Sequence, residues 1–423
     1  MNEFIYRRST LYAEGASVVS LADKYGTPLY IYSANHLRRQ YRALAEAMKA
    51  VKPLICYSVK ANSNAAVIRT FLDEGAGLDI VSGGELFRVL RAGADPSKIV
   101  FAGVGKTVEE IEYAVKQNIL FFTVESEPEV ERISECARKL KRKARVAFRV
   151  NPDVDPLTHK YISTGKKENK FGLDAERTVK ACELAGKLPG IEITGLHMHI
   201  GSQILSVQPF AHALEKVRSI CIQLKKRFPS FRYLDIGGGI GIKYRPDQQE
   251  LLPEIYARTV VPFLSKMGLS VVMEPGRFLV GNGGMLVCRV QYIKNNAYKK
   301  FVVTDAAMND LIRPSLYDAH HEVVAVTKTS DVIHGDLVGP ICESGDFIAK
   351  DRNLPAVSVG DLLAVQSAGA YGFSMSSNYN SRTRAAEVMV DGNKAMLIRK
   401  RETLDDLVKG EILPVVRRKG SKK

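Results

Sequence analysis

The chain has 423 residues, 45% apolar and 25% charged, with 33 glycines and 17 prolines. That is ordinary globular composition at a length suited to two or three domains, and it excludes collagen-like, low-complexity and disordered descriptions of the whole chain. Lys+Arg 61 against Asp+Glu 46 gives a net charge of +15, but the excess is spread along the chain and its one dense cluster is the tail 417–423, so no nucleic-acid partner is expected.

Apolar, β-branched runs at 54–59, 78–81, 99–102, 121–124, 145–150, 193–200, 233–236 and 269–274 predict eight strands. Helical patterns at 65–73, 84–92, 108–117, 127–141, 175–186, 209–227 and 251–265 fall between them. Strictly alternating strand and helix argues for a parallel sheet with helical crossovers. Eight repeats are the number that closes a (β/α)8 barrel, although periodicity leaves an open doubly wound sheet in play. After Gly281-Asn282-Gly283-Gly284 the pattern changes: strand-like runs at 285–293, 301–304, 322–327, 361–366, 387–390 and 395–399 follow one another without helices. The expected division is an α/β barrel over 34–280 and a second, mainly antiparallel β domain built from 1–33 plus 281–423. Asp391-Gly392-Asn393 reads as a hairpin turn between the last two strands.

No run of about 18 uncharged apolar residues is present, and the first eight residues lack the apolar core of a secretion signal, so neither a membrane association nor export is expected. The six cysteines (Cys56, Cys136, Cys182, Cys221, Cys288, Cys342) form no CxxC pair and read as reduced thiols of a cytoplasmic protein.

In a barrel of this kind chemistry sits at the C-terminal ends of the strands. Four predicted strands end in residues that a purely structural strand would not need. The first ends in Ser58-Val59-Lys60-Ala61-Asn62, where an amine at the end of an apolar strand is partly desolvated; its pKa is then expected to fall, making Lys60 a Schiff-base nucleophile. The sixth carries His197 and His199 on one face, opposite Leu196 and Met198. One of the two suits a satisfied core histidine, and the other suits stacking on an aromatic ring. The seventh ends in Gly237-Gly238-Gly239, which fails the dinucleotide fingerprint because the third glycine would fall at Ile242. With Gly276 after the eighth strand, and Ser202 after the sixth, it matches the two loops where barrels bind phosphate. Glu274 on the eighth strand is flanked by apolar residues and so needs a cationic partner, such as a protonated pyridine nitrogen. A metal reading of His197 and His199, with Asp79 or Asp235 as third ligand, stays open on spacing alone. An aldehyde for Lys60, a phosphate for the glycine turns and a ring nitrogen for Glu274 together describe pyridoxal 5'-phosphate.

On these motifs the sequence resembles the alanine-racemase-fold, pyridoxal-phosphate-dependent decarboxylases, and within them the diaminopimelate subgroup. The resemblance runs from Tyr57-Ser58-Val59-Lys60-Ala61-Asn62 through Gly77–Glu85, Lys167–Gly172, His199-Ile200-Gly201-Ser202-Gln203, Glu274-Pro275-Gly276-Arg277 and Cys342-Glu343-Ser344-Gly345-Asp346 to Tyr371-Gly372-Phe373-Ser374-Met375. It implies an alanine-racemase-like fold and decarboxylation of meso-2,6-diaminopimelate to L-lysine and CO2, the last step of lysine biosynthesis. It implies that Lys60 carries the cofactor as a Schiff base, His199 stacks on its ring and Glu274 pairs with the ring nitrogen. Ser202, Gly237, Gly238, Gly239, Gly276, Arg277 and Tyr371 would hold the phosphate region. Arg277, Arg313, Tyr317, Glu343 and Tyr371 would bind the far end of the substrate, and Cys342 would protonate the carbanion. Family members are homodimers with shared sites, so Cys342 and Glu343 would come from the partner chain; no metal is implied. The alternatives are a decarboxylase of another basic amino acid (ornithine, lysine or arginine), a racemase, a catalytically silent binding protein, and a metal-dependent barrel hydrolase.

Overall fold

The computed structural model describes residues 3–155 and 170–414. The basic cluster 417–423 and residues 167–169 of the Lys167–Gly172 motif therefore lie outside the described residues. Strands β1 (Phe4–Arg7), β2 (Thr10–Ala13) and β3 (Ala16–Ser17) form a small sheet of their own, while β4 (Leu29–Ser33) joins a larger sheet later in the chain. Eight parallel strands follow: β5 (Leu54–Ser58), β6 (Gly77–Ile80), β7 (Ile99–Phe101), β8 (Phe121–Val124), β9 (Ala144–Arg149), β10 (Ile191–His197), β11 (Tyr233–Asp235) and β12 (Ser270–Met273). β12 pairs with β5, so the sheet closes, and the open alternative is resolved in favour of the barrel.

Local chemistry explains how the crossover helices start. Asn64, Ser82, Thr107, Ser126 and Asp174 each accept a hydrogen bond from a backbone N–H in the first turn of the helix they precede. Each cap satisfies a donor that the helix itself leaves free. The helices Gln208–Arg227 and Pro253–Met267 begin instead with a proline in the first turn, where its missing N–H costs nothing.

Strand periodicity then divides the barrel into two environments. Ile55, Tyr57, Ile99, Phe101, Val146, Phe148, Val271 and Met273 pack in the core shared with the helices. The intervening residues Cys56, Val100, Phe121, Ala147 and Val272 form a separate cluster in the barrel interior. Toward the C-terminal end the same inward-facing parity turns polar: Ser58, Asp79, Thr123, Arg149, His197, Asp235 and Glu274 are all buried. Parity and strand direction thus deliver seven polar side chains to one rim.

The second body is a nine-stranded sheet of β4 with β13 (Gly284–Asn295), β14 (Lys300–Thr304), β15 (Val323–Ala325), β16 (Val332–Val338), β17 (Phe347–Pro355), β18 (Leu362–Val365), β19 (Ala386–Asp391) and β20 (Lys394–Arg399). It is mainly antiparallel, with parallel pairing only between β14 and β16 and between β4 and β19 among the described strands. The β19–β20 turn places Gly392 at φ 60°, as the hairpin signal requires. Two features depart from the sequence expectation. The long β16–β17 ribbon was not foreseen, because His334-Gly335-Asp336 and Lys350-Asp351-Arg352-Asn353 interrupt its apolar pattern. A short helix, Arg313–Tyr317, lies between β14 and β15 where no helix was expected.

The two bodies meet around the turn that follows β5. Tyr371 N–H donates to the Ala61 carbonyl at 2.8 Å, and Asn62 Nδ2 donates to the Gly369 carbonyl at 3.3 Å. Asn64 Nδ2 donates to Glu387 Oε2 at 2.8 Å; that fully buried carboxylate also accepts from the Tyr32 hydroxyl and from Arg399 Nε. No helix among the described residues is long and apolar enough to cross a membrane. The barrel wall gives a direct stability test. Phe122 is buried and stacks on Phe101 with centroids 5.9 Å apart. Phe122→Ala should lower unfolding stability by about 3–5 kcal/mol, read as a shift of the urea midpoint by circular dichroism.

Candidate active site

The polar rim opens into a cavity of about 170 Å³ between the barrel and the second sheet. Ser58, Lys60, His199, Ser202, Gly239, Ile240, Glu274, Gly276, Arg277, Arg313, Tyr317 and Tyr371 line it. Every lining residue except Ser58 and Ile240 is one that the sequence singled out. Cys342 and Glu343 are not in this wall: both are exposed, on a turn where Cys342 N–H donates to Asn380 Oδ1 and Glu343 Oε2 accepts from the Tyr379 hydroxyl. A larger cavity of about 620 Å³ sets Arg39, Lys243 and Arg245 against Glu250, Glu254 and Glu322, and contains none of the strand-end residues.

Lys60 Nζ lies 2.9 Å from Asp79 Oδ2, which also accepts from the Ser58 hydroxyl at 2.7 Å. Burial favours the neutral amine, but the charges of Asp79 and Glu274 outweigh it and hold Lys60 above the ordinary lysine range. The expectation of a depressed pKa is therefore corrected: the strand end that buries the amine also surrounds it with carboxylates. Burial and Glu274 push Asp79 upward, against the opposing pull of Lys60 and Ser58.

Glu274 Oε2 lies 3.2 Å from His197 Nε2. Burial opposes its charge, yet His197 and Lys60 together bring the carboxyl well below its usual range. Asp235 takes the opposite course, raised by burial and by Glu274. Two carboxylates this close do not both ionise readily, and the negative charge rests on Glu274. His197, Asp235 and Glu274 offer three ligand atoms within 4.8 Å of one another, so the metal reading of the sequence finds a cluster here, though with His199 outside it. Among the described residues no N–H or hydroxyl donates to Glu274 Oε1; the raised Asp235 carboxyl is its side-chain neighbour, and the protonated nitrogen of a pyridine ring would be a stronger, charged donor to this carboxylate.

The glycine turn is built by close approach. At Gly237, φ is 66° and a Cβ would sit 2.5 Å from the Met198 carbonyl; at Gly239, φ is 105° and a Cβ would sit 2.5 Å from the Gly201 carbonyl. No other residue type fits either position. The turn thereby packs against the end of β10, and Gly238 N–H donates to His199 Nδ1 at 3.2 Å. That bond assigns the ring proton to Nε2, and burial, Arg149 and Lys60 hold the imidazole well below its usual pKa, so His199 is neutral.

Arg277 and Arg313 are both buried, and among the described residues neither meets a carboxylate. Arg277 donates to the Ser202 and Tyr244 hydroxyls and lies 4.8 Å over the Tyr371 ring. Arg313 donates to His321 Nε2 at 2.9 Å and lies 4.7 Å over the Tyr244 ring. Two guanidiniums enclosed without a counter-charge make this wall an anion receptor. The cavity thus offers an amine, a carboxylate acceptor and an anion receptor, matching the aldehyde, ring nitrogen and anionic groups of pyridoxal phosphate and an amino acid bound with it. Asp79 was weighed in the sequence only as a metal ligand; an aspartate inside the apolar run Gly77–Val81 is the signal that marks it as a partner of Lys60. Tyr244 and His321 carry no comparable signal.

Residues 34–281 match the family described as pyridoxal-dependent decarboxylase, pyridoxal binding domain. The chain is 49% identical to the diaminopimelate decarboxylase of Aquifex aeolicus, covering 95% of this chain and 96% of that one. It is also 49% identical to the enzyme of that name from Pseudomonas aeruginosa, covering 98% and 99%. The crystal structure of diaminopimelate decarboxylase from Helicobacter pylori complexed with L-lysine superposes with a TM-score of 0.89 at 42% identity, covering 92% of this chain and 98% of that one. With the barrel, the rim and the cavity all in agreement, the chain belongs to the pyridoxal-phosphate-dependent decarboxylases of the diaminopimelate decarboxylase family.

Proposed function

We propose that the chain decarboxylates meso-2,6-diaminopimelate to L-lysine, with the substrate's far amino-acid end held by Arg277, Arg313, Tyr317 and Tyr371. The observation that carries this reading is the pair of buried guanidiniums that, among the described residues, have no carboxylate partner. A substrate ending in an amine alone, such as ornithine, would meet repulsion there, whereas a far carboxylate would be bound by both arginines. Reaction within the cytoplasm fits six free thiols, five of them buried. Residues 34–280 would serve the cofactor, and 1–33 with 281–423 would complete the substrate site and the contact with a second copy. The span of the family match and the pairing of β4 with β13 and β19 support that division.

Bound pyridoxal phosphate supplies an aldehyde for amine exchange and a ring that takes up the electron pair left when CO2 departs. Lys60 Nζ would hold the aldehyde carbon, with Asp79 Oδ2 placed to take a proton from the amine as that bond forms and to return it when substrate displaces Lys60. Glu274 would accept from the ring N–H and favour the protonated nitrogen. Neutral His199 offers its ring for stacking without adding positive charge. Ser202, Arg277, Tyr371 and the Gly237–Gly239 and Gly276 turns hold the phosphate region. Cys342 Sγ protonates the carbon that lost CO2, and Glu343 pairs with the far ammonium. Both are exposed and outside the cavity wall of their own chain, which supports their delivery by a second copy in a homodimer.

Product analysis tests the substrate: the cofactor-loaded protein should release CO2 and L-lysine from meso-diaminopimelate and leave L-ornithine unchanged, while rapid turnover of ornithine would refute the assignment. Lys60→Ala should abolish turnover. Mixing inactive Lys60→Ala and Cys342→Ala chains should restore activity to about a quarter of wild type, because half of randomly re-formed dimers carry one intact site; no recovery would exclude shared sites. Asp79→Asn should lower the Lys60 pKa, so that amine-selective labelling of Lys60 in cofactor-free protein, followed by mass spectrometry, begins at lower pH.

A further inference from the structure

We infer that Tyr244 and His321 are positioning residues for substrate recognition: a phenol and an imidazole, in place of carboxylates, that aim Arg277 and Arg313 at a far carboxylate. This rests on the reading of the arginine pair given above and goes one layer behind it.

A buried guanidinium ordinarily takes a carboxylate as its partner, because an uncompensated buried charge is costly. Here the partners are a phenol and an imidazole. Arg277 Nη1 donates to the Tyr244 hydroxyl at 2.7 Å, and Arg313 Nη1 donates to His321 Nε2 at 2.9 Å. The state of His321 follows from its second contact, Nδ1 with the Gln366 carbonyl at 2.8 Å. A carbonyl only accepts, so the ring proton is on Nδ1 and Nε2 is free to accept from the guanidinium. Burial and Arg313 hold this imidazole well below its usual pKa, which keeps the acceptor open. Tyr244 joins the two arms: its ring lies under Arg313 at 4.7 Å and meets the His321 ring edge-on at 5.4 Å.

Three separate stretches of chain therefore converge on one task. Tyr244 follows β11 on the barrel, His321 precedes β15, and Gln366 follows β18 of the second sheet. A phenol and a neutral imidazole fix the direction of both guanidiniums and leave more of their charge for an incoming anion than carboxylates would, while, against burial, the two guanidiniums draw the Tyr244 phenol below its usual range. A carboxylate in either place would give the same geometry and cancel the attraction.

The test compares L-lysine with cadaverine, which lacks only the carboxylate, as ligands of the cofactor-loaded protein in equilibrium titrations. L-Lysine keeps the far amino-acid end of the proposed substrate. His321→Leu should weaken L-lysine by about tenfold or more and leave cadaverine within about twofold. His321→Gln, which retains an acceptor facing Arg313, should recover most of the loss. Tyr244→Phe should weaken L-lysine selectively as well. Full retention of discrimination in His321→Leu overturns the inference, and so does equal loss of both ligands, which would mark His321 as serving the fold alone. If wild-type protein itself binds L-lysine no better than cadaverine, the arginine-pair reading fails first, so the two failures are told apart.

Discussion

A carboxylate enclosed in a barrel must find a cation or a donor close by, and the rim of this barrel is arranged around Glu274 under that constraint. His197 covers one oxygen, Lys60 adds charge from across the rim, and Asp235 gives way by moving upward as Glu274 moves down. Among the described residues the second oxygen accepts from no N–H or hydroxyl. In the same cavity Arg277, just after the last barrel strand, and Arg313, from the second body, have no carboxylate partner among the described residues. The cavity therefore presents both a carboxylate, Glu274, and two guanidiniums, Arg277 and Arg313. A ligand matching these groups would carry both a protonated ring nitrogen and anionic oxygens.

Polarity at the rim comes from a simple pattern continued too far. Along each strand inward positions alternate with positions facing the helices, and the inward series runs through Cys56, Val100, Ala147 and Val272 before turning polar. The fold does not have to bring the active residues together separately. Closing the sheet does it for all of them, and the glycine turn then sets the imidazole of His199 at the proper edge.

Much of this was legible in the residues. Eight strands could be counted because each is a short apolar run between helical patterns, and Lys60, Glu274 and Gly237–Gly239 stood out because polar or glycine residues close those runs. What could not be read depends on partners distant in sequence. The ionisation of Lys60 turned on Asp79 and Glu274, which only barrel closure brings near. β16 and β17 were hidden because polar residues interrupt their apolar pattern, although β16 pairs with both β14 and β17 in the sheet. Tyr244 and His321 look like ordinary loop residues until the cavity assembles.

The turn that bears Lys60 is not supported by the barrel alone. Ala61, Asn62 and Asn64 are held by Tyr371, Gly369 and the Glu387 cluster of the other body. A molecule bound between Lys60 on one side and Arg313 on the other consequently acts as a rivet through the seam. Filling the cavity raises the free energy of parting the two bodies by whatever share of the binding depends on both of them, so occupancy of the site and cohesion of the two bodies rise together.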